Sequence, residues 1–474
     1  MENGHYVFSY LTGIVPKEKG AWQMGEKKKF SMLSCILTVI CVVFVAEAAA
    51  PVAAIGNSQY FWWIFMIILF LLPYGLISSE MGTTYDNGSG LYDWVSAAYG
   101  HRMGARVSWY YWINFPLWMA SLAVMFPDLY TIVTGKELNT IFSIIIQLAF
   151  VWIVTAIACT PTADAVWILN GSAAIKVILA LGVGIFGVMG IAKNGMANPI
   201  TLSSLLPSFD LDSLSFISVI IFNMLGFEII CTMSDDMEDP KKQIPQAIVV
   251  GGIVIAAIYM FSAFGIGAAI PTSEVSTDSG LIDAFILLTG KEGGIFISAV
   301  AILFGLTLFG NMISWSTGVH EGAAAAAENG DMPALFAKRN PKNNMPVGGI
   351  MATAVVASIV VIAAPFIPNQ DLFWSFFALN LVMFLMSYIP VFPAFLKLRK
   401  TDPNTERPFR VPGNGIVLTL LAYIPMILII VSIIFTAIPL SFDPDTLAGT
   451  LPITIGAIIF IILGEIIIRM KGKE

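Results

Sequence analysis

The sequence contains few charged residues. Only 12% of its 474 residues are Asp, Glu, Lys or Arg, whereas 57% are hydrophobic, and the mean hydropathy is +0.83. Soluble domains carry about twice that share of charge, because a water-facing surface needs it. The composition therefore excludes a soluble enzyme and a disordered chain. It predicts an all-α membrane protein, and the length allows about a dozen spans of roughly 20 residues each.

Metal-ligating and thiol residues are also scarce. The three histidines, His5, His101 and His320, are scattered, so no metal site and no cofactor are expected. The four cysteines lie in or beside apolar runs without Cys-x-x-Cys spacing, which is typical of small buried hydrophobic residues. The net charge of −7 provides no basic surface, which argues against a nucleic-acid partner.

The N-terminal segment lacks the features of a signal peptide. Residues 1–29 are polar and end in three lysines, with no early apolar core and no small-residue cleavage site. We therefore expect residues 1–29 to be a cytoplasmic segment and the first apolar run to stay in the mature protein.

Twelve apolar runs follow this segment. They cover residues 32–56, 61–83, 104–134, 140–158, 164–191, 213–236, 246–270, 292–326, 346–366, 371–396, 414–438 and 449–470. With a cytoplasmic N-terminus, 20 of the 24 Lys and Arg residues fall in cytoplasmic segments, three fall in outer loops, and Lys176 falls within a span. This asymmetry follows the positive-inside rule. The sequence thus predicts 12 transmembrane helices with both termini in the cytoplasm.

Two runs contain helix-disrupting features at bilayer depth. The first has Glu47 and Pro51 in a row of alanines, and the sixth has Asn223, Gly226 and Glu228 near its middle. Runs one and six are equivalent positions in two repeats of five spans. Broken helices at matching positions of two repeats are typical of a transporter's binding site. The alternative is a proline kink and a packing glycine, both of which are common in membrane helices.

Three ionisable residues, Glu47, Lys176 and Glu228, lie deep in the predicted spans. Each costs about 2.5–3.5 kcal/mol to insert, so each needs a partner or a function. Glu47 could hold a cationic substrate or be a structural acid. Lys176 could cap carbonyl groups at a helix break in place of sodium, release a proton, or extend to the membrane surface. Glu228 could be a proton-linked gate or a structural acid bonded to a tyrosine.

Aromatic residues crowd the third and eighth runs. The third run holds Trp109, Tyr110, Tyr111, Trp112 and Trp118. Trp and Tyr near span ends usually anchor a helix at the membrane interface, so we expect this role for most of the set. Trp315 lies deeper, in the eighth run, and could stack on a cation.

Four motifs resemble those of the amino acid–polyamine–organocation superfamily of transporters. Glu80-Met81-Gly82-Thr83-Thr84 with Gly88, Gly90 and Tyr92 is similar to E-L-x-x-x-x-P-x-x-G-G-x-Y, with Asp86 at the usual proline. Residues 226–228 and 239–248 resemble G-F-E…N-P-x-x-x-I-P-x-A-I. Residues 329–347 resemble D-G-x-x-P…F…P…P-V, and residues 407–413 match R-P-F/Y-R-V-P-G. The resemblance covers residues 30–415, and the 73–94 stretch is most similar to glutamate/GABA-type antiporters.

The resemblance implies a leucine-transporter-like fold. It has a 5+5 inverted repeat plus two extra helices, with the transport core in residues 30–400 and two additional spans and a cytoplasmic tail in residues 401–474. The implied function is exchange of an amino acid or amine precursor for its decarboxylation product, such as tyrosine for tyramine or agmatine for putrescine. Exchange would proceed by alternating access in a bacterial plasma membrane.

Alternatives and partners follow from the same observations. Proton-coupled amino acid symport is the alternative function. A channel or a nutrient sensor is less favoured, because the sequence shows neither a ring of like charges nor an appended signalling domain. The expected partners are a small amino acid or amine substrate and the lipid bilayer, and the sequence leaves open whether the chain forms a homodimer.

The residues and the resemblance together assign candidate roles. The substrate-binding candidates are Glu47, Ala48, Phe222, Asn223, Trp315, Asn114 and Asn380. The gating or coupling candidates are Glu228, Tyr388 and Lys176, of which Lys176 occupies the place of sodium in sodium-independent members. The usual G-S-G or G-T-G of the first span is replaced by alanines and Glu47. Because those glycines expose backbone amides to a substrate carboxylate, their absence favours a ligand that bears an amine.

Overall fold

The computed structural model describes residues 31–85, 89–160, 162–207, 209, 214–228, 237–290, 293–367 and 371–471. The described segments are mainly helical, and the expected cytoplasmic segment 1–29 lies outside them. The helices are α1 Met32–Val43, α2 Ala49–Ala53, α3 Gln59–Met66, α4 Leu72–Thr84, α5 Leu91–Tyr99, α6 His101–Ala123, α7 Phe126–Thr134, α8 Thr140–Ala158, α9 Thr162–Asn194, α10 Ile217–Phe222, α11 Pro240–Ala269, α12 Gly280–Thr289, α13 Ile295–Glu328, α14 Val347–Ala363, α15 Leu372–Tyr388, α16 Val391–Thr401, α17 Gly415–Ala437 and α18 Pro444–Lys471.

Ten helical segments in the described part of the chain are long and apolar enough to cross a membrane. Some combine consecutive helices, since Gly56–Thr84 includes α3, a π-helical turn at Ile67–Leu71 and α4. These ten coincide with ten of the twelve predicted runs. The other two, runs one and six, are those in which the helix is interrupted, because α1 ends at Val43 and α10 ends at Phe222.

The first interruption lies at Phe44 and Val45. Val45 is extended, with φ −128° and ψ 128°, and a 3-10 turn, Ala46–Ala48, leads from it into α2. Pro51 lies after the break, in the first turn of α2. A first-turn proline costs little, because N–H groups there have no partner within the helix. The proline therefore marks the restart of the helix and not its break.

The second interruption depends on Gly226. Its φ of +90° lies in the region that favours glycine, because a Cβ atom is strained there. A Cβ atom at this residue would also lie 2.5 Å from Cη2 of Trp315 in α13. The backbone of the broken helix therefore approaches α13 more closely than a larger residue permits.

The tryptophans of α6 are buried, which corrects their prediction as interface anchors. Trp109, Trp112 and Trp118 are all buried. The Trp109 indole N–H donates to the Phe460 carbonyl in α18 at 2.9 Å, and that of Trp112 donates to the Thr353 hydroxyl in α14 at 3.1 Å. Because α6 packs against α13, α14, α15 and α18, its aromatic face meets protein and not lipid.

An ion pair between helices involves Glu465 in α18. Its contact with Arg469 one turn later in the same helix is 3.9 Å long. The Glu465 carboxylate also accepts hydrogen bonds from Nε and Nη2 of Arg106 in α6, the latter at 3.0 Å. The acid therefore ties the last described helix to α6, through a two-pronged arginine contact that is stronger than a single surface ion pair.

Candidate functional site

Side chains from three helices satisfy the backbone groups at the first break. The Val42 carbonyl accepts from the indole N–H of Trp315 at 3.0 Å, and the Phe44 carbonyl accepts from Nζ of Lys176 at 2.8 Å. The Tyr259 hydroxyl donates to the Val45 carbonyl at 2.8 Å and accepts from the Val45 N–H at 2.9 Å. Buried backbone groups need such partners in a bilayer, so an irregular segment is tolerated here.

Lys176 is buried where α9 passes the first break. Its side chain is 2% exposed, which excludes extension to the membrane surface. Besides the Phe44 carbonyl, Nζ contacts the amide oxygen of Asn311 in α13 at 2.8 Å. The ammonium group therefore caps a carbonyl at the helix break and also contacts a side chain of the interior.

Glu47 lies in the 3-10 turn that follows the break and is 1% exposed. The amide nitrogen of Asn311 donates to both of its carboxylate oxygens, at 2.8 and 2.6 Å. The Trp118 indole N–H lies beside the carboxylate without forming a hydrogen bond of ordinary geometry. Asn311 and Trp118 are thus neighbours of Glu47 that the sequence did not place in the site.

An aromatic cluster surrounds the second break. It consists of Trp118, Phe222, Trp315, Phe377 and Phe384. The ring centroid of Phe222 lies 5.6 Å from that of Trp118, 5.7 Å from that of Phe377 and 5.5 Å from that of Phe384. The ring centroid of Trp315 lies 5.8 Å from those of Trp118 and Phe384. The two predicted aromatic residues, Phe222 and Trp315, therefore share the neighbours Trp118 and Phe384. Such rings attract cations through their faces and pack against methylene chains.

Unpaired polar atoms accompany this cluster. Among the described residues, neither amide atom of Asn223 has a hydrogen-bond partner, and the same holds for the Asn380 amide oxygen. Asn223 follows Phe222 directly, and Asn380 lies one turn from both Phe377 and Phe384 on α15. A buried polar atom without a partner is costly, and a bound polar ligand would remove that cost.

The remaining predicted site residues have weaker connections to the cluster. Ala48 is buried and directly follows Glu47 in the 3-10 turn. The Asn114 side chain donates to the Tyr111 carbonyl of its own helix at 2.5 Å. The Asn114 side chain is therefore hydrogen-bonded to the backbone of its own helix, whereas the Asn223 amide has no such partner.

Glu228 receives hydrogen bonds from three tyrosines on three helices. The hydroxyl groups of Tyr388 in α15 and Tyr111 in α6 donate to Oε1 at 2.7 and 3.1 Å, and that of Tyr74 in α4 donates to Oε2 at 2.5 Å. Donors to a carboxylate form strong bonds, which suits a charged Glu228. Of the three, the sequence paired only Tyr388 with Glu228.

A third buried acid connects two of the family-like motifs. Glu80 in α4 is 2% exposed and contacts Nε and Nη2 of Arg399, both at 2.5 Å, and Nε of Arg407 at 3.1 Å. It also accepts from the Val411 backbone N–H at 2.7 Å. Glu80 thus joins the end of α4 to the loop of the R-P-F-R-V-P-G motif, an ion-pair cluster that local sequence patterns do not indicate.

One cavity of about 590 Å³ lies away from these residues. Its lining includes Asn57, Asn198 and Thr272, but none of the predicted site residues. The aromatic cluster itself is closed, because Phe222 and Trp315 are both buried. No group of three or more His, Cys, Asp or Glu side chains in the described segments could hold a metal ion.

Sequence comparisons relate the chain to known proteins. The model of a family described as amino acid permease matches residues 30–464. The chain is 63% identical over 445 residues to a protein of Lactococcus lactis named probable agmatine/putrescine antiporter AguD, across 94% of this chain and 96% of that protein. It is 23% identical over 429 residues to a glutamate/gamma-aminobutyrate antiporter of Lactococcus lactis, across 87% and 84% of the two chains. It is 25% identical over 421 residues to a probable polyamine transporter of Arabidopsis thaliana, across 85% and 78%.

Proposed function

Because the chain belongs to the amino acid permease family, we propose that it is an antiporter that exchanges agmatine for putrescine across a bacterial plasma membrane. The observation that carries the proposal is the buried carboxylate of Glu47 at the first break. By the resemblance to the family, this segment is where amino acid transporters carry the glycines that bind a substrate carboxylate. The Lactococcus relative supports the choice of substrates, since its name specifies agmatine and putrescine and the similarity spans nearly all of both chains.

The chemistry of the two amines fits the site. Agmatine and putrescine are both dications at neutral pH, and neither carries a carboxylate. Glu47 would bind one cationic end, and the aromatic cluster would enclose the methylene chain. The unpaired amide oxygens of Asn223 and Asn380 would accept hydrogen bonds from the other end. An α-amino acid would instead bring its carboxylate against the charge of Glu47, so we expect it to be rejected.

Transport would proceed by alternating access around this site. In the proposed fold, twelve spans form two inverted repeats of five and two additional helices, with the core in residues 30–400 and both termini in the cytoplasm. The breaks in runs one and six, and the buried side chains that cap the first break, support this arrangement. Glu228 and its tyrosines would close the cytoplasmic side, and Lys176 would occupy the place of sodium.

Counterflow in proteoliposomes tests the proposal. Vesicles loaded with putrescine should take up labelled agmatine without sodium, whereas vesicles loaded with arginine or left empty should not. Uptake into empty vesicles driven by a pH gradient alone would favour proton-coupled symport. Exchange that requires tyrosine and tyramine, with no response to agmatine, would show that the substrate pair is wrong.

The Glu47→Gln variant tests the carboxylate directly. Hydrogen bonds to a charged group contribute about 1.5–3 kcal/mol, so the KM for agmatine should rise roughly tenfold to a hundredfold. Glu137→Gln provides the matched control, because Glu137 is an exposed acid ahead of α8. An unchanged KM in Glu47→Gln would remove Glu47 from the binding site.

A further inference from the structure

Asn311 lies between Lys176 and Glu47 in the interior of the protein. Its amide oxygen is 2.8 Å from Nζ of Lys176, and its amide nitrogen is 2.8 and 2.6 Å from Oε1 and Oε2 of Glu47. The three side chains are buried and come from α13, α9 and the turn before α2. They form a chain of hydrogen bonds that runs from a cation to the candidate substrate-binding carboxylate.

Donor and acceptor chemistry fixes the orientation of this amide. An ammonium group can only donate, and an ionised carboxylate can only accept. The Asn311 oxygen must therefore face Lys176 and its nitrogen must face Glu47. A flipped amide would place its NH2 group against the Lys176 ammonium and its oxygen against the Glu47 carboxylate, and neither pair can form a hydrogen bond. An aspartate at this position would satisfy Lys176, but it would lose the donors to Glu47 and repel it.

From this geometry we infer that Asn311 is a positioning residue for amine binding. It holds the Glu47 carboxylate in a fixed orientation near Trp118 of the aromatic cluster, and it does so without adding a charge to the site. The inference rests on the proposed function, in which Glu47 receives the cationic end of agmatine. A structural role would require only that the buried polar groups be matched, whereas the positioning role requires the negative charge to be at residue 47.

Exchanging the two side-chain types separates these roles. Asn311→Asp alone should raise the KM for agmatine about tenfold or more, as expected when hydrogen bonds to a charged group are lost. In the double variant, which adds Glu47→Gln, residue 311 carries the carboxylate and residue 47 carries the amide. The new carboxylate can still accept hydrogen bonds from Lys176 and from the amide at residue 47. The double variant should regain the melting temperature of the parent protein but keep the raised KM, because its carboxylate contacts Lys176 and not the substrate.

Asn344→Asp, the same substitution at an exposed loop residue, should leave both quantities unchanged. An unchanged KM in Asn311→Asp, or a parental KM in the double variant, would overturn the inference. Where Asn311→Asp cannot be purified, Asn311→Ala removes the amide without adding charge and must also raise the KM. A parent protein that fails to exchange agmatine for putrescine would instead refute the proposed function, so the two failures are distinguishable.

Discussion

At the scale of single residues, Glu228 shows which contacts a sequence conceals. Its three tyrosine partners are 154, 117 and 160 positions away and come from three helices. A resemblance to known transporters can pair Glu228 with Tyr388, because both lie in recognisable segments. Tyr74 and Tyr111 carry no such signal, since one lies in an apolar run and the other in an aromatic stretch with the composition of an interface anchor.

Removing the Tyr74 hydroxyl should destabilise the folded protein. Tyr74 is the donor to Oε2, whereas Oε1 has two donors, so Tyr74→Phe leaves one oxygen of a buried carboxylate without that bond. We expect the free energy of unfolding to fall by about 1.5–3 kcal/mol, measured by thermal melting of the purified protein. Tyr423→Phe, at a partly exposed tyrosine of α17, is the control and should melt like the parent protein. Equal melting of the two variants would mean that the Oε2 contact contributes no stability.

At the scale of helices, the two breaks were predictable to different degrees. In the sixth run, Gly226 marks the interruption correctly, because its backbone conformation requires a residue without a Cβ atom. In the first run, the sequence pointed to Glu47 and Pro51, but the extended residue is Val45. What stabilises that break is a set of distant side chains, Lys176, Tyr259 and Trp315, and no local pattern reveals them.

The Gly226→Ala substitution should disturb both breaks together. An alanine in a left-handed conformation costs about 1–2 kcal/mol, and its methyl group would collide with the Trp315 ring. Trp315 would have to move, although its indole N–H caps the Val42 carbonyl at the other break. We therefore expect a lower melting temperature and loss of agmatine exchange.

Gly318→Ala on α13 is the matched control, because that glycine is helical and has open space around it, so alanine should be neutral or slightly stabilising. If Gly226→Ala exchanged agmatine as fast as the parent protein, the close contact between Gly226 and Trp315 would not matter for transport.

At the scale of the whole molecule, composition and hydropathy were the most informative features. Ten of the predicted runs appear as long apolar helices, since hydropathy reports directly on the length needed to cross a bilayer. Contacts between helices were not predictable in this way, because α6 is as aromatic as an interface segment although protein surrounds it. The Glu80 cluster gives the same lesson, since two motifs about three hundred residues apart in the chain meet at one buried carboxylate.

The charges of the substrates lead to a prediction for the complete transport cycle. Exchange of one dication for another moves no net charge, and Lys176 already supplies a cation at the first break. Agmatine accumulation in putrescine-loaded vesicles should therefore be the same with and without a potassium diffusion potential of about 100 mV set by valinomycin, and sodium should not change it. An exchange that moved one charge would gain about 2.3 kcal/mol from such a potential, which is roughly a fiftyfold change in accumulation and is easily measured. A clear response to the potential would therefore rule out dication-for-dication exchange, whereas a requirement for sodium would contradict the role proposed for Lys176.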